Sequence, residues 1–460
     1  MSTQSTAKGG WLDKTFRLSE KHTTVKREFL AGLTTFLTMV YIVAVNPSIL
    51  GDAGMDKNAQ FYATAISSAI ACIAIAFYGN FPFALAPSMG LNAYFAYTVC
   101  GTLGLDWQNA LACVFTSGML FIVLGFFGVQ QKICDDLPDV IKNSVGAGVG
   151  FFISLIGFEN AGLIVGNPST LVTLGDLGNP GVLLALFGVM LTAILMIKKV
   201  PGSILISIVV VTILGFFVTN PETGLKYTIL PDQLIKFENP IKAMEPSLLK
   251  LTYKGLFVGN IADIMQVVFV VISFFFVDLF GSVGVLLGLA SAAEMADENG
   301  NVPGAGKALT ISAAGAAVGA LLGTSTVTIY GAESSTGIAV GGRTGLTAFF
   351  IGLLFILVLF FSPLFLMIPS CATAPALIII GTLMIEPLMH MDLGDLTVAL
   401  PAFLCVAMQP FSYNIAYGIL FGLLSYAIVT IAAKRTKEIK ATTWVLIVLF
   451  AAYFVFDVLL

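Results

Sequence analysis

Residues 323–345 read GTSTVTIYGAESSTGIAVGGRTG, between the apolar runs SAAGAAVGALL (312–322) and LTAFFIGLLFILVLFF (346–361). The stretch is too rich in Gly, Ser and Thr for a continuous membrane helix, and it holds one carboxylate, Glu333. Backbone polar groups cannot stay unpaired in lipid, so broken chain at membrane depth must be covered by protein or line a water-filled cavity. The run STVTIY suits a short strand. A half-helix starting near Glu333 would then present its positive N-terminal end to a site.

The rest of the chain makes that reading necessary. Its 460 residues are 57% hydrophobic and 10% charged, with mean hydropathy +0.96. Soluble domains carry about 25% charged residues, so this composition predicts a polytopic, all-α membrane protein. The net charge of −4 says little about partners, because the charges lie mostly in loops and tails, and nothing resembles a basic nucleic-acid-binding face. The six Cys, at 72, 100, 113, 134, 371 and 405, are scattered and read as small buried hydrophobes. His22 and His390 stand apart from other ligand types, which predicts no metal site and no cofactor. Residues 1–27 are too long and too charged for a signal peptide and read as a cytoplasmic segment.

Apolar runs of span length fall near 28–50, 59–79, 107–128, 140–164, 181–197 and 202–219, and again near 257–290, 305–323, 344–361, 371–388, 396–410 and 412–432. With the broken segments 81–100 and 324–343 the count is about fourteen. The piece 443–460 is left over as a further span or an interfacial helix. Lys14, Arg17, Lys21, Lys26, Arg27, Lys132, Lys142, Lys198, Lys199, Arg343, Lys434, Arg435, Lys437 and Lys440 share one side if both termini are cytoplasmic.

The organisation is therefore a first repeat over 28–219, an extracytoplasmic connector over 220–255, a second repeat over 256–433 and a basic, then apolar, tail over 434–460. FPFALAPSMGLNAYFAYTVC (81–100) holds the place in the first repeat that the opening stretch holds in the second. Its prolines exclude a regular helix, and its half-helix would start at Ser88. Matched breaks in two halves point to a transporter's substrate site. Two short strands, one in each break, would pair and satisfy each other.

The site candidates follow from that geometry. Glu333 reads as a substrate- or proton-binding acid, with a purely structural helix cap as the plain reading. Asn92, one turn into the first half-helix, can donate and accept, or simply bond a neighbouring helix. Asp278, mid-span in VFVVISFFFVDLFGSVGVLLGLA (268–290), has no ion-pair partner visible in sequence and reads as a second central acid. Ser88 and Ser334 sit at the two helix starts, and Phe83 and Tyr330 could stack on a ring or merely pack. Asp263 reads as interfacial, Glu159 as close to a loop, and Arg343 as an anchor at the end of the second half-helix. Gly315, Gly319 and Gly323 read as helix packing. The Gly-rich run 144–150 lacks the GK[ST] ending of a phosphate loop, which leaves ion or substrate gradients as the drive.

KREFLAGLTTFLTMVYIVAVNPSIL (26–50), LAPSMGLNAYFA (85–96), NPSTLVTLGDLG (167–178), ESSTGIAVGGRTGLTA (333–348), FFSPL (360–364) and ATAPALIIIG (372–381) carry a resemblance. The chain resembles the AzgA-like purine permeases, the hypoxanthine/guanine and adenine branch of the nucleobase transporter superfamily, over nearly its whole length. The resemblance implies a seven-plus-seven inverted-repeat fold, a core domain moving past a gate domain, a homodimer, and import of a purine base with protons across the plasma membrane. It assigns the base site to Asn92 and Glu333. The eighth segment departs from the family pattern. FGSVGVLLG (280–288) puts Gly281 at the usual Asp position and Val285 at the usual Thr, with Asp278 one turn earlier. IYGAES (329–334) holds one residue more than usual between Tyr and Glu. Xanthine, urate, a pyrimidine, an organic anion or uncoupled transport are alternatives on the same fold. Two acids at the site argue against an anion. A channel would need a charge ring or filter repeat, and an intramembrane enzyme a nucleophile with a base; neither is visible.

Overall fold

Among the described residues of the computed structural model, ten helices are long and apolar enough to cross a membrane, and the chain is a multi-pass membrane protein. The structure describes residues 10–127, 133, 136–258, 261–295 and 302–459; Lys132 and Cys134 lie outside them. In chain order the helices of the first half are α1 (Trp11–Phe16), α2 (Val25–Met39), α3 (Ile42–Asp52) and α4 (Lys57–Ala74). Strand β1 (Ala84–Pro87) leads into α5 (Met89–Ala93), and α6 (Trp107–Phe126) and α7 (Asp139–Asn160) follow. A hairpin of β2 (Ile164–Asn167) and β3 (Leu171–Leu174) precedes α8 (Pro180–Ile197) and α9 (Ser203–Gly215). The connector holds the short α10 (Pro240–Met244).

The second half runs α11 (Ile261–Ala292), α12 (Ala305–Leu322), β4 (Val327–Tyr330), α13 (Gly331–Val340) and α14 (Gly345–Val358). It ends with α15 (Ser362–Leu366), α16 (Ser370–Leu383), α17 (Leu396–Ser412), α18 (Ile415–Ala432) and α19 (Ala441–Leu459). Short polar residues start several of these helices. The side chains of Thr24, Asp56, Asn179, Asp395 and Asn414 each accept a first-turn N–H. At the exposed N-cap of α17, the Thr397 N–H and hydroxyl, and then Arg435, hold the Asp395 carboxyl below its usual range.

The helices sort into two packing groups, each drawn from both halves. Elements α2 to α6 pack with α11 to α14, while α7, α8 and α9 pack with α16, α17 and α18. Contacts of α5 and α11 with α7 join the groups.

Several expectations are refined. The first span is two helices, because the chain tightens at Val40–Tyr41: Val43 and Ala44 N–H bond carbonyls three residues back. The first half-helix widens into a π-helix over Tyr94–Thr102. The fifth span stops at Asn160, and the motif NPSTLVTLGDLG supplies the turn and second strand of the exposed β2–β3 hairpin, so the described residues hold four strands where two were expected. The Asn167 side chain accepts the Ser169 and Thr170 N–H groups and turns that hairpin. Helices α9 and α17 are shorter than a full span. Gly315 and Gly319 are needed by the strand and not by another helix, since a Cβ there would come 3.2 Å from the Val327 carbonyl and 2.6 Å from the Ser325 carbonyl. The tail forms α19, packed on α18 and α11, with Phe450 6.0 Å from Phe276.

Candidate functional site

The two broken segments meet. Strands β1 and β4 pair antiparallel in the register Ala84↔Tyr330, Leu85↔Ile329, Ala86↔Thr328 and Pro87↔Val327. The Ser88 N–H extends the pairing to the Thr326 carbonyl at 2.8 Å. A two-stranded sheet leaves outer backbone groups that lipid cannot satisfy, and side chains supply the partners. Cys72 of α4 accepts from the Leu85 N–H at 3.2 Å and donates to the Leu85 carbonyl at 3.3 Å. Ser334 Oγ accepts the Ala84 N–H at 3.0 Å, and the Tyr330 hydroxyl donates to the Pro87 carbonyl at 2.6 Å. Cys72 is therefore more than a small hydrophobe.

The helices α5 and α13 start directly from these strands, after Ser88 and Tyr330, and neither start is capped by a side chain. Ser88, Gly331 and Glu333 are partly exposed at the helix starts, and Ala332 and Ser335 are exposed. The Glu333 carboxylate Oε1 accepts from the Tyr41 hydroxyl at 2.6 Å. At its other end α13 is capped by Arg343, whose Nη1 donates to the carbonyls of Ile338 (2.7 Å) and Gly342 (2.9 Å). The fully buried Glu28 carboxylate takes the Arg343, Thr344 and Thr347 N–H groups and the Thr347 hydroxyl, which fixes the link into α14.

Asn92 lies behind the helix start, fully buried. Its Nδ2 donates to Asn46 Oδ1 at 2.6 Å, and Asn46 Nδ2 donates to Thr64 (2.6 Å) and Thr324 (2.9 Å). This is the interhelical role, although Asn92 Oδ1 itself has no partner among the described residues. Phe83 is fully buried and stacked on Phe81 at 5.0 Å, so one face of its ring is already covered.

Asp278 is buried in a different setting. It accepts from the Ser282 hydroxyl at 2.9 Å, and Ser282 in turn lies 3.1 Å from the Ser312 hydroxyl of α12. Helix α11 packs on α13, and Val285 lies against Gly331, where a Cβ would come 3.1 Å from Val285 Cγ1. Asp278 is two turns from Val285, about 10 Å along the axis, whereas Gly281 is one turn away with open space at its Cβ position. The structure thus groups Ser88, Tyr330, Glu333 and Ser334 around the strand pair, sets Asn92 in a buried network, and gives Asp278 a hydrogen bond from Ser282.

Sequence reasoning missed Tyr41, Asn46, Cys72 and Glu28. A polar residue inside an apolar span was the available signal for Asn46, which precedes Pro47 in VAVNPSIL.

A family model described as "Permease family" matches residues 26–408. The adenine permease AdeP of Escherichia coli (strain K12) is 39% identical over 99% of this chain and 98% of its own length. The guanine/hypoxanthine permease PbuG of Bacillus subtilis (strain 168) is also 39% identical, over 96% of this chain and 99% of its own. Among solved structures, the transmembrane domain of a cyanobacterial bicarbonate transporter, BicA, aligns with TM-score 0.60 over 87% of this chain and 97% of that one. At 14% identity this likeness shows the shared fold alone.

Proposed function

The chain belongs to the permease family, and from that premise we propose that it is a secondary active transporter importing purine nucleobases of the hypoxanthine, guanine and adenine class. As a permease it moves a solute and is not an enzyme. The observation that carries the substrate reading is near-full-length identity of 39% to both an adenine permease and a guanine/hypoxanthine permease. The partly open acid at the start of α13 fits it chemically, because a carboxylate accepts from the N–H edge of a neutral heterocycle and repels an anion.

In this reading Glu333 holds the base, with Ser88, Ser334 and Tyr330 shaping the site and Asn92 stiffening the floor. Proton symport runs through Glu333 or Asp278. The repeats are 28–219 and 256–433, in a seven-plus-seven arrangement. Ten long helices, two broken segments and the shorter α9 and α17 are consistent with fourteen segments. The packing group of α7 to α9 and α16 to α18 serves as the gate and dimer contact, and the other group as the moving core. Both termini face the cytoplasm of a cell whose plasma membrane holds the protein.

The test is uptake of radiolabelled hypoxanthine, guanine, adenine, xanthine and uracil by cells lacking their own permeases, with and without a protonophore. Accumulation of a purine, abolished by the protonophore, is the expected result. No accumulation of any base refutes the reading, and accumulation indifferent to the protonophore refutes proton coupling.

A further inference from the structure

The first span contributes to the site from the point where it tightens. Val40 and Tyr41 separate α2 from α3, and the Tyr41 carbonyl accepts from both the Ala44 and Val45 N–H groups. Pro47 lacks the N–H that would bond the Val43 carbonyl, which favours a local irregularity here. Mid-helix tightening of this kind turns side chains off the regular helical lattice. Tyr41 is 1% exposed, and its hydroxyl reaches Glu333 across 292 residues of sequence.

The helix that carries Glu333 is seated closely on the same span. A Cβ at Gly337 would come 2.7 Å from the Ala31 carbonyl, and one at Gly342 would come 3.0 Å from the Ala31 Cβ. Thr38 and Thr336 hydroxyls lie 3.3 Å apart. Helix α13 therefore has a fixed position against α2, and the 2.6 Å bond from Tyr41 fixes the rotamer of its acid. The Tyr41 bond occupies Oε1, and the Glu333 residue is partly exposed.

We infer that Tyr41 is a positioning residue for transport: it holds Glu333 by Oε1 so that Oε2 is the edge offered to the base at the start of α13. The inference rests on the proposed role of Glu333 as the base-binding acid. Tyr41 does not touch substrate in this account. It removes the cost of ordering a flexible carboxylate at the moment of binding.

The experiment measures KM and Vmax of base uptake, with surface abundance, for wild type, Tyr41→Phe and Tyr62→Phe. Tyr62 is the control, a buried tyrosine whose hydroxyl meets Ser362 at 3.2 Å away from Glu333. Loss of a bond to a charged group predicts a KM raised about 10-fold in Tyr41→Phe. Vmax per molecule stays within about twofold, and Tyr62→Phe stays near wild type. In a Glu333→Asp background, whose shorter side chain withdraws from the hydroxyl, Tyr41→Phe then changes KM by less than about twofold.

An unchanged KM in Tyr41→Phe, an equal effect in Tyr62→Phe, or an undiminished effect in the Glu333→Asp background overturns the inference. A fall in Vmax that merely tracks abundance, with KM constant, overturns it too. If wild type accumulates no base, the functional reading fails and this inference fails with it. If wild type transports normally and Tyr41→Phe is silent, the inference alone fails.

Discussion

The two helix starts are built from the same parts and differ in what they do with them. Each is a four-residue strand running straight into a helix without a side-chain cap. At the first, the polar residue one turn in is Asn92, fully buried and spent on Asn46. At the second it is Glu333, partly exposed and held by one tyrosine. The first helix loosens into a π-helix; the second stays regular and ends under the Arg343 guanidinium. A neutral amide bonded to a neighbour inside the protein supports a fold, while a charge left partly open at a helix N-terminus can bind. On the proposed reading, the matched pair divides the labour between a structural floor and a chemical mouth.

Removing the charge should break that contrast most severely. Glu333→Gln is expected to lower base uptake about 100-fold, the scale of losing a charge-assisted bond, at unchanged abundance. Full uptake by this variant in the radiolabel assay would move the site elsewhere. On the structural side, Asn46→Ala strands Asn92 Nδ2 and removes a donor from the hydroxyls of Thr324 and of Thr64, which keeps its own bond to the Gln60 carbonyl. A loss of about 3 kcal/mol is expected, read as a lower melting temperature in detergent, with KM of the surviving protein near wild type. A melting temperature unchanged by Asn46→Ala would show that the floor is not structural.

The strand edge gives a smaller effect. Cys72→Ala leaves both Leu85 backbone groups without their partner and should cost about 1–2 kcal/mol, with Cys72→Ser recovering part of it in the same thermal assay. Equal stability of Ala and Ser variants would reduce Cys72 to packing. The smallest change in stability is expected of Gly281→Asp, because nothing lies within 4 Å of its Cβ position. Its folding stability, read in the same thermal assay, should change by no more than about 0.5 kcal/mol, as where a side chain displaces no neighbouring atoms, while the preference among the five bases shifts. An unshifted preference would separate Gly281 from the site.

Much of this was legible because lipid forbids unpaired backbone. Two prolines in FPFALAP and the β-branched run in STVTIY left pairing as the available solution, and the pairing is there. Glu333 stood out because a lone acid among apolar runs is costly. The Tyr41 contact had no local signal, since a tyrosine in an apolar span reads as packing and its partner is distant in sequence. Cys72 was hidden for a related reason: a thiol between apolar residues reads as a hydrophobe until a strand edge is laid against it. The β2–β3 hairpin was missed because LIVGN and LVTL are apolar enough to extend a span, although Asn167 supplied the turn chemistry. Asp278 stood out in sequence as a mid-span acid without a visible ion-pair partner, and its hydrogen bond from Ser282, one turn along the same helix, had no signal there.

The strand pair also sets a timetable for biosynthesis. The 240 residues from Pro87 to Val327 must be made before β1 can find β4. At about 5–20 residues per second, the first strand enters the membrane roughly 12–50 seconds ahead of its mate. Cys72 and Leu85 belong to the same half, so that edge can close early, but the facing edge stays open until the second half arrives. A chain terminated in the connector would be left with a raw strand edge, because β4 lies beyond it.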